Sequence, residues 1–257
     1  MKLKDLGYNT TIEKYRIENN LDEFVIGRVV SEHKERYVVG TETGTFDAEI
    51  TGNLRFSAKS REDFPAVGDW VALIQYDPDS VIIHSLLPRK SVLSRQAVGK
   101  FGEKQIIATN IDIAFLVQAI DRDFNMNRLE RYLSICRASK IDSIIVLTKT
   151  DLINNLKLEE IIEKIRLRIK NTAVFAISNE SGEGIEALKK CIEKEKSYCL
   201  LGSSGVGKSS LLNNLCGKDF MKTGSISEST SKGRHITSHR ELIVLDNGGI
   251  LIDNPGM

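Results

Sequence analysis

The sequence predicts two structural parts, a small all-β barrel at the N-terminus and a doubly wound α/β domain after it. Three observations support this division. Short runs rich in Val, Ile and aromatic residues, separated by Gly and Pro, fill residues 23–90. From residue 111 onward, apolar runs alternate with segments of helical spacing. Between them, residues 88–104 are basic, with Glu103 as the single acid.

Five segments of the first part have the composition of short β-strands. They are Glu23–Val30, Arg36–Gly40, Thr45–Ile50, Asp69–Tyr76 and Ser80–Leu86. So many short strands in so few residues suit a small closed barrel of the OB or SH3-like type, with a β-sandwich fragment as the alternative. We therefore assign residues 1–90 to an N-terminal extension and a barrel, and residues 91–104 to a basic linker.

Strands and helices alternate in the remaining part, residues 105–257. The predicted strands are Ile111–Val117, Ile141–Leu147, Ala173–Ile177 and Tyr198–Leu201. The predicted helices are Asn127–Ala138, Leu156–Lys170, Ile185–Lys194 and Ser210–Leu215. Buried strands that alternate with amphipathic helices indicate a doubly wound sheet.

The bulk composition is that of a soluble globular chain. Apolar residues make up 41% and charged residues 28%, and the formal net charge is +1, which argues against a generally basic nucleic-acid binder. The four cysteines have no metal-ligand spacing and are expected to be reduced thiols. Without a membrane-length apolar run or a signal-peptide pattern, we expect a cytoplasmic monomer with no membrane partner.

A phosphate-binding loop follows the strand Tyr198–Leu201. Residues 202–209 (GSSGVGKS) fit the pattern G-x-x-x-x-G-K-[ST], and a helical run follows them. The glycines allow backbone N–H groups to surround phosphates, Lys208 is expected to act catalytically on the β- and γ-phosphates, and Ser209 to bind Mg²⁺. The predicted nucleotide-binding residues here are Gly202, Ser203, Ser204, Gly205, Val206, Gly207, Lys208, Ser209 and Ser210.

A guanine-binding motif closes the strand Ile141–Leu147. Its residues are Thr148, Lys149, Thr150 and Asp151, which fit the pattern N/T-K-x-D. Asp151 is placed to accept hydrogen bonds from the ring N–H and the exocyclic amine of guanine, a donor pair that adenine lacks. Ser178, after the next strand, is expected to contact the same base. A helix-capping Asp151 in an ATP-dependent enzyme is the alternative.

The D-x-x-G element of a nucleotide switch lies at residues 253–256. Asp253 is expected to reach Mg²⁺, and the backbone N–H of Gly256 to contact the γ-phosphate. The first switch should then lie in residues 224–240, with Thr237 as the candidate Mg²⁺ ligand and Thr230 as the second choice. A positively charged solvated loop is the alternative for this segment.

The order of these motifs predicts a circularly permuted GTPase domain. In ordinary GTPases the phosphate loop comes first and the guanine-binding motifs last, whereas here residues 148–151 and Ser178 precede Gly202. The cyclic order is kept, and a compact domain whose termini lie close together tolerates such a rearrangement.

Three further motifs resemble one family. Residues 67–71 (VGDWV), 108–112 (ATNID) and 232–237 (KGRHIT) are similar to signatures of the ribosome small-subunit-dependent GTPase A family, RsgA/YjeQ. The resemblance covers residues 6–257 and implies that the barrel is an OB-fold.

The resemblance also implies partners and a function. These are GTP or GDP, the small ribosomal subunit and its rRNA, with GTP hydrolysis that the subunit stimulates during late subunit assembly. Residues 1–90 carry 12 Lys and Arg against 15 Asp and Glu, a net charge of −3, so any RNA contact must be local. The family's zinc-binding domain would follow Met257, so we expect a chain truncated in the second switch, with Zn²⁺ only where that domain is present.

The residue that orients the attacking water is not evident in the motifs. Met257 stands where many GTPases have Gln, so His235 is the catalytic candidate, and an RNA-facing His235 is the alternative. The competing function is a nucleotide-gated rRNA-binding module in which switching, and not turnover, is the function.

Overall fold

The computed structural model describes residues 2–33, 36–96, 104–121, 124–217 and 240–253. These residues form two compact units, each built from separate stretches of the chain. The first unit is drawn from residues 1–112, 194–199 and 239–254. The second is drawn from residues 113–193, 200–238 and 255–257.

The first unit contains a closed five-stranded barrel. Its strands are β1 (Val25–His33), β2 (Arg36–Gly40), β3 (Thr45–Ile50), β4 (Trp70–Asp77) and β5 (Ser80–Leu86). They follow the order β1-β2-β3-β5-β4, and antiparallel pairing of β4 with β1 closes the ring. Closure, together with the parallel pairing of β3 with β5, gives an OB-type barrel and excludes the sandwich fragment.

Alternating side chains of the strands fill the barrel. Val29, Val39, Leu73 and Ile83 are at most 1% exposed and pack in one cluster. This is the burial that period-two alternation predicts for strands with one face inward. Two helices accompany the strands, α1 (Thr10–Glu18) before β1 and α2 (Gly52–Ser57) after β3.

Among its described residues, the first unit also has five strands outside the barrel, although β11 ends in the second unit. They are β6 (Val92–Gln96), β7 (Lys104–Thr109), β11 (Ser197–Leu201), β12 (Arg240–Val244) and β13 (Ile250–Asp253). Strands β6 and β7 pair with each other, so β6 lies in the segment that the sequence assigned to a linker. Strands β12 and β13 form a hairpin, and β12 pairs with β1.

The motif at residues 67–71 is explained by close packing within the first unit. Gly68 has a φ of +97°, and a Cβ there would lie 2.2 Å from the carbonyl oxygen of Thr109. Asp69 is fully buried and accepts two hydrogen bonds from Arg89, at 2.8 and 2.7 Å. The guanidinium of Arg28 lies over the ring of Trp70, with Arg28 Cζ 5.4 Å from the ring centroid. Gly68, Asp69 and Trp70 therefore each meet a steric or electrostatic requirement.

Arg28 is a buried cation that joins separate segments of the first unit. It donates hydrogen bonds to the carbonyl oxygens of Leu6, Gly68 and Asn110. Burial lowers the pKa of Arg28 to about 10, although the charges of Asp112 and Asp69 act in the opposite direction.

The described part of the second unit has three parallel strands in the order β10-β9-β8. They are β8 (Ile113–Ala119), β9 (Asp142–Thr148) and β10 (Ala173–Ala176). Its helices are α3 (Met126–Ala138), α4 (Asn155–Arg168), α5 (Ile185–Lys190) and α6 (Lys208–Cys216). No helix among the described residues is long and apolar enough to cross a membrane.

Helix α3 shows how the sequence positions these elements. Leu129, Tyr132, Leu133 and Cys136 are buried, at the spacing of one helical face, and α3 contacts β8 and β9. Asn125 caps the helix by accepting a hydrogen bond from the backbone N–H of Arg128. Amphipathic spacing and a capping residue therefore fix this helix on the sheet.

Candidate nucleotide-binding site

The phosphate loop of the second unit connects the end of β11 to the start of α6. Gly202 is buried, and a Cβ there would lie 2.4 Å from the carbonyl oxygen of Val117. Gly205 and Gly207 have φ values of +79° and +90°. Val206 is 1% exposed and anchors the loop, whereas Ser204 and Gly205 are exposed. The loop therefore needs glycine for a close approach at its first position and for left-handed backbone at two others.

Lys208 begins α6 and folds back over the loop. Its Nζ donates hydrogen bonds to the carbonyl oxygens of Gly202 and Ser203, at 2.7 and 2.6 Å. The ammonium group is thereby held over the loop, at the positive end of a nine-residue helix. A helix N-terminus with a lysine beside it suits an anionic ligand such as a phosphate.

The motif after β9 contacts the phosphate loop directly. Thr148 is fully buried, and its Oγ1 donates to the carbonyl oxygen of Val206 at 2.6 Å. These two residues are 58 positions apart in the chain. A residue predicted to lie near the base and a residue predicted to lie near the phosphates are therefore in contact.

The Asp151 carboxylate is oriented by Ser178. The Ser178 hydroxyl donates to Asp151 Oδ1 at 2.5 Å and accepts from the backbone N–H of Ser181 at 3.1 Å. Ser178 is fully buried, whereas Asp151 is exposed. The structure therefore brings Asp151 and Ser178 together, with the carboxylate held from one side and accessible to a ligand.

Asn179, directly after Ser178, makes contacts that the sequence motifs did not reveal. Its Nδ2 donates to the carbonyl oxygen of Gly207 at 3.1 Å, and its Oδ1 accepts from Asn214 Nδ2 at 3.2 Å. Asn179 thus links the loop after β10 to the phosphate loop and to α6. No spacing rule relates these three residues, so only the fold reveals the link.

Asp121 is a second residue that the motifs did not reveal. Its Oδ2 accepts from Lys149 Nζ at 2.7 Å, and both side chains are partly buried. Asp121 follows β8, as Thr148 ends β9 and Ser178 follows β10. Open α/β sheets bind ligands at the carboxyl ends of their strands. A polar residue directly after a strand, as at Asp121, was therefore the sign in the sequence that could have indicated this contact.

The predicted switch residues lie in the first unit or outside the described residues. Asp253 is the last residue of β13, is 6% exposed and belongs to the first unit. Thr230, His235, Thr237 and Gly256 lie outside the described residues. The described residues contain no group of three or more His, Cys, Asp or Glu side chains arranged for a metal ion.

A comparison with protein-family models identifies the chain. The model described as RsgA GTPase matches residues 86–257. The chain belongs to the RsgA GTPase family. It is 39% identical to the small ribosomal subunit biogenesis GTPase RsgA of Opitutus terrae, over the whole of this chain and 72% of that protein. It is 42% identical to RsgA 1 of Oceanobacillus iheyensis, over 95% of this chain and 70% of that one.

Two solved structures have the RsgA-type fold. YjeQ of Thermotoga maritima is 26% identical and superposes with a TM-score of 0.67 over 90% of this chain and 74% of its own. YloQ, described as a circularly permuted GTPase, is 23% identical and has a TM-score of 0.61 over 91% and 71% of the two chains. The predicted fold class, a small barrel with a circularly permuted GTPase domain, is confirmed.

Proposed function

We propose that this chain binds GTP at the site of the second unit, hydrolyses it, and acts in maturation of the small ribosomal subunit. The observation that carries the proposal is the hydrogen bond from Thr148 to Val206, since Thr148 belongs to the predicted guanine-binding motif and Val206 to the predicted phosphate loop. The relatives named as small ribosomal subunit biogenesis GTPases support the choice of partner.

The nucleotide would be bound by two sets of residues. Asp151 would accept hydrogen bonds from guanine, with Ser178 as the neighbour that orients its carboxylate. Lys208 and the amides of the phosphate loop would bind the β- and γ-phosphates. Phosphoryl transfer depends mainly on positioning and on neutralising charge, and these residues would supply both.

Mg²⁺ fits the predicted donors, which are oxygen atoms. Ser209, directly after Lys208, offers a half-buried hydroxyl, and Mg²⁺ prefers one or two protein oxygens beside phosphate oxygens and water. Asp253 and Thr237 are the other proposed ligands. When bound, the ion would neutralise charge on the phosphates.

The decisive experiment is GTP and ATP turnover of the chain with and without purified small ribosomal subunits. We expect GTP turnover that the subunits increase, and little ATP turnover. Lys208→Ala should reduce turnover by about 100-fold, as for loss of one charge-stabilising donor. Lys190→Ala, at an exposed lysine of the same unit, is the matched control.

Two results would contradict parts of the proposal. GTP-dependent subunit binding without turnover would favour the nucleotide-gated RNA-binding module. Equal turnover of ATP would remove the guanine assignment. If the chain hydrolyses GTP, His235→Ala tests whether His235 orients the attacking water. Unchanged rates of GTP hydrolysis, both intrinsic and stimulated by the subunits, would exclude that role.

A further inference from the structure

The first unit contains an open-mouthed cavity that the proposed function does not use. Its volume is 480 Å³, within the range of small-molecule sites. The lining includes Glu32, Arg61, Phe64, Gln105, Ile106 and Arg240. A cavity with a carboxylate, two guanidinium groups, an amide and an aromatic ring is chemically equipped to bind a polar planar ligand.

A carboxylate and a guanidinium group lie side by side in this cavity. Glu32 and Arg240 are direct partners in the β1–β12 ladder, and Glu32 Oε2 lies 3.6 Å from Arg240 Nη1. The side chains are 30% and 13% exposed. Arg240 also donates to the carbonyl oxygen of Ile106 at 2.8 Å, which fixes its guanidinium.

The Glu32 carboxylate has one long contact with a described side chain. The Arg240 contact is longer than a hydrogen bond, and within the residues that the structure describes the Glu32 carboxylate makes no other hydrogen bond or ion pair. Burial raises the pKa of Glu32, against the opposing effect of Arg240 and Arg61. Burial likewise lowers the pKa of Arg240. Hydrogen-bond donors from a ligand would compensate for this loss of hydration.

Guanine has the complementary edge. It presents an O6 acceptor beside two donors, N1–H and N2–H₂, so Glu32 can accept from both donors while Arg240 donates to O6. Adenine and uracil each present a single donor position on that edge, which leaves one carboxylate oxygen unpaired. The half-buried ring of Phe64 offers a stacking surface for the base.

The rim of the cavity supplies a cation for a phosphate. Arg61 is exposed, and among the described residues its guanidinium has no ion pair within 4.0 Å. A guanidinium group binds phosphate oxygens with two parallel hydrogen bonds. We propose that this cavity binds a guanine nucleotide. Glu32 and Arg240 bind its base, and Arg61 binds its phosphate.

The ligand has two possible sources, a free mononucleotide or an unpaired guanosine in RNA. The experiment uses the whole chain loaded with GDP and Mg²⁺ and then freed of unbound nucleotide on a desalting column. The nucleotide site of the second unit is then occupied, and no free guanine nucleotide competes for the cavity. Fluorescence anisotropy measures binding of labelled UUGUU, UUIUU, UUAUU and UUUUU oligoribonucleotides. Unlabelled GMP is the competitor, and effective competition identifies the mononucleotide as a source.

We expect the guanosine oligonucleotide to bind about tenfold more tightly than the other three, because inosine lacks the 2-amino donor and the other bases lack the donor pair. Glu32→Gln should remove this preference. Arg61→Ala should weaken binding of all four oligonucleotides by a similar factor and leave any preference for guanosine unchanged. These effects separate recognition of the base from recognition of the phosphate.

Glu130→Gln and Arg168→Ala are the matched controls, since they alter an exposed ion pair of the second unit. Thermal unfolding checks each variant, and the guanosine–inosine comparison on the unaltered protein needs no variant. Equal affinity for the four oligonucleotides, or no binding of oligonucleotides and GMP, would overturn the proposal. GTP turnover, measured separately, distinguishes this result from failure of the GTPase assignment.

Discussion

The Asp151 carboxylate is held on one side and exposed on the other. Ser178 donates to one of its oxygens, while the residue itself remains accessible. The Ser178 hydroxyl therefore sets the position of the carboxylate before a ligand arrives. If Asp151 binds the base as proposed, this preorganisation would lower the entropic cost of binding.

Asp151→Asn tests base recognition at this residue. An amide presents a donor where the carboxylate presents an acceptor, so we expect preference to change from GTP to xanthosine triphosphate. Competition binding with the two nucleotides measures the change. Asp142→Asn, at an exposed position of β9, is the control, and a variant that still prefers GTP would contradict the guanine assignment.

Thr148→Val tests the contact between the two loops. The change keeps the shape of the side chain but removes the hydroxyl that donates to the Val206 carbonyl oxygen. A buried acceptor left without its donor costs about 1–3 kcal/mol, so we expect nucleotide affinity to fall about tenfold. Titration with a fluorescent GDP analogue measures it. Thr148→Ser should retain affinity, and equal losses in both variants would argue against the hydrogen bond.

At the scale of elements, the phosphate loop is defined by what surrounds it. Its first glycine lies against β8, its last glycine precedes α6, and Asn179 contacts it from the loop after β10. The geometry of the phosphate loop therefore depends on three elements that lie far apart in the sequence.

Gly202→Ala tests the packing of this loop. A Cβ at 2.4 Å from the Val117 carbonyl oxygen meets backbone, so the loop must move. We expect at least about a tenfold loss of nucleotide affinity together with a lower melting temperature. Gly52→Ala, where a Cβ meets nothing within 4 Å, should change neither quantity. Unaltered nucleotide binding in the first variant would show that the loop tolerates the displacement.

At the scale of the whole molecule, each unit is assembled from distant stretches of the chain. The first unit combines the barrel with strands from residues 194–199 and 239–254. Within that unit, Asp69 and Arg89 form a buried ion pair, and Arg89 also donates to the carbonyl oxygens of Glu62 and Phe64. Such contacts stabilise segments that are not held by backbone hydrogen bonds to a neighbouring strand.

Arg89→Leu tests the stability that this pair supports. It leaves the fully buried Asp69 without its partner, which typically costs about 3–5 kcal/mol in the free energy of unfolding. Urea denaturation measures the loss. Arg168→Ala breaks an exposed pair and should cost less than about 1 kcal/mol. A similar small effect in both variants would show that Asp69 is stabilised by its surroundings alone.

Local patterns predicted much of the fold. Strands β2, β3 and β5 have the predicted bounds, because alternating apolar residues and turn residues mark them in the sequence. Helices α3 and α4 begin and end within two residues of the prediction. Strand β6 was not predicted, because its basic residues resemble those of a linker and its pairing with β7 is a property of the tertiary structure.

The sequence by itself determined the fold class, the motif order that indicates circular permutation, and the family. It did so because those features depend on residue type and spacing along the chain. Only the tertiary structure decided that Thr148 contacts Val206, that Asn179 contacts Gly207, and that Glu32 and Arg240 meet at a cavity. These contacts join residues far apart in sequence, and their energies depend on distance and burial, which no spacing rule encodes.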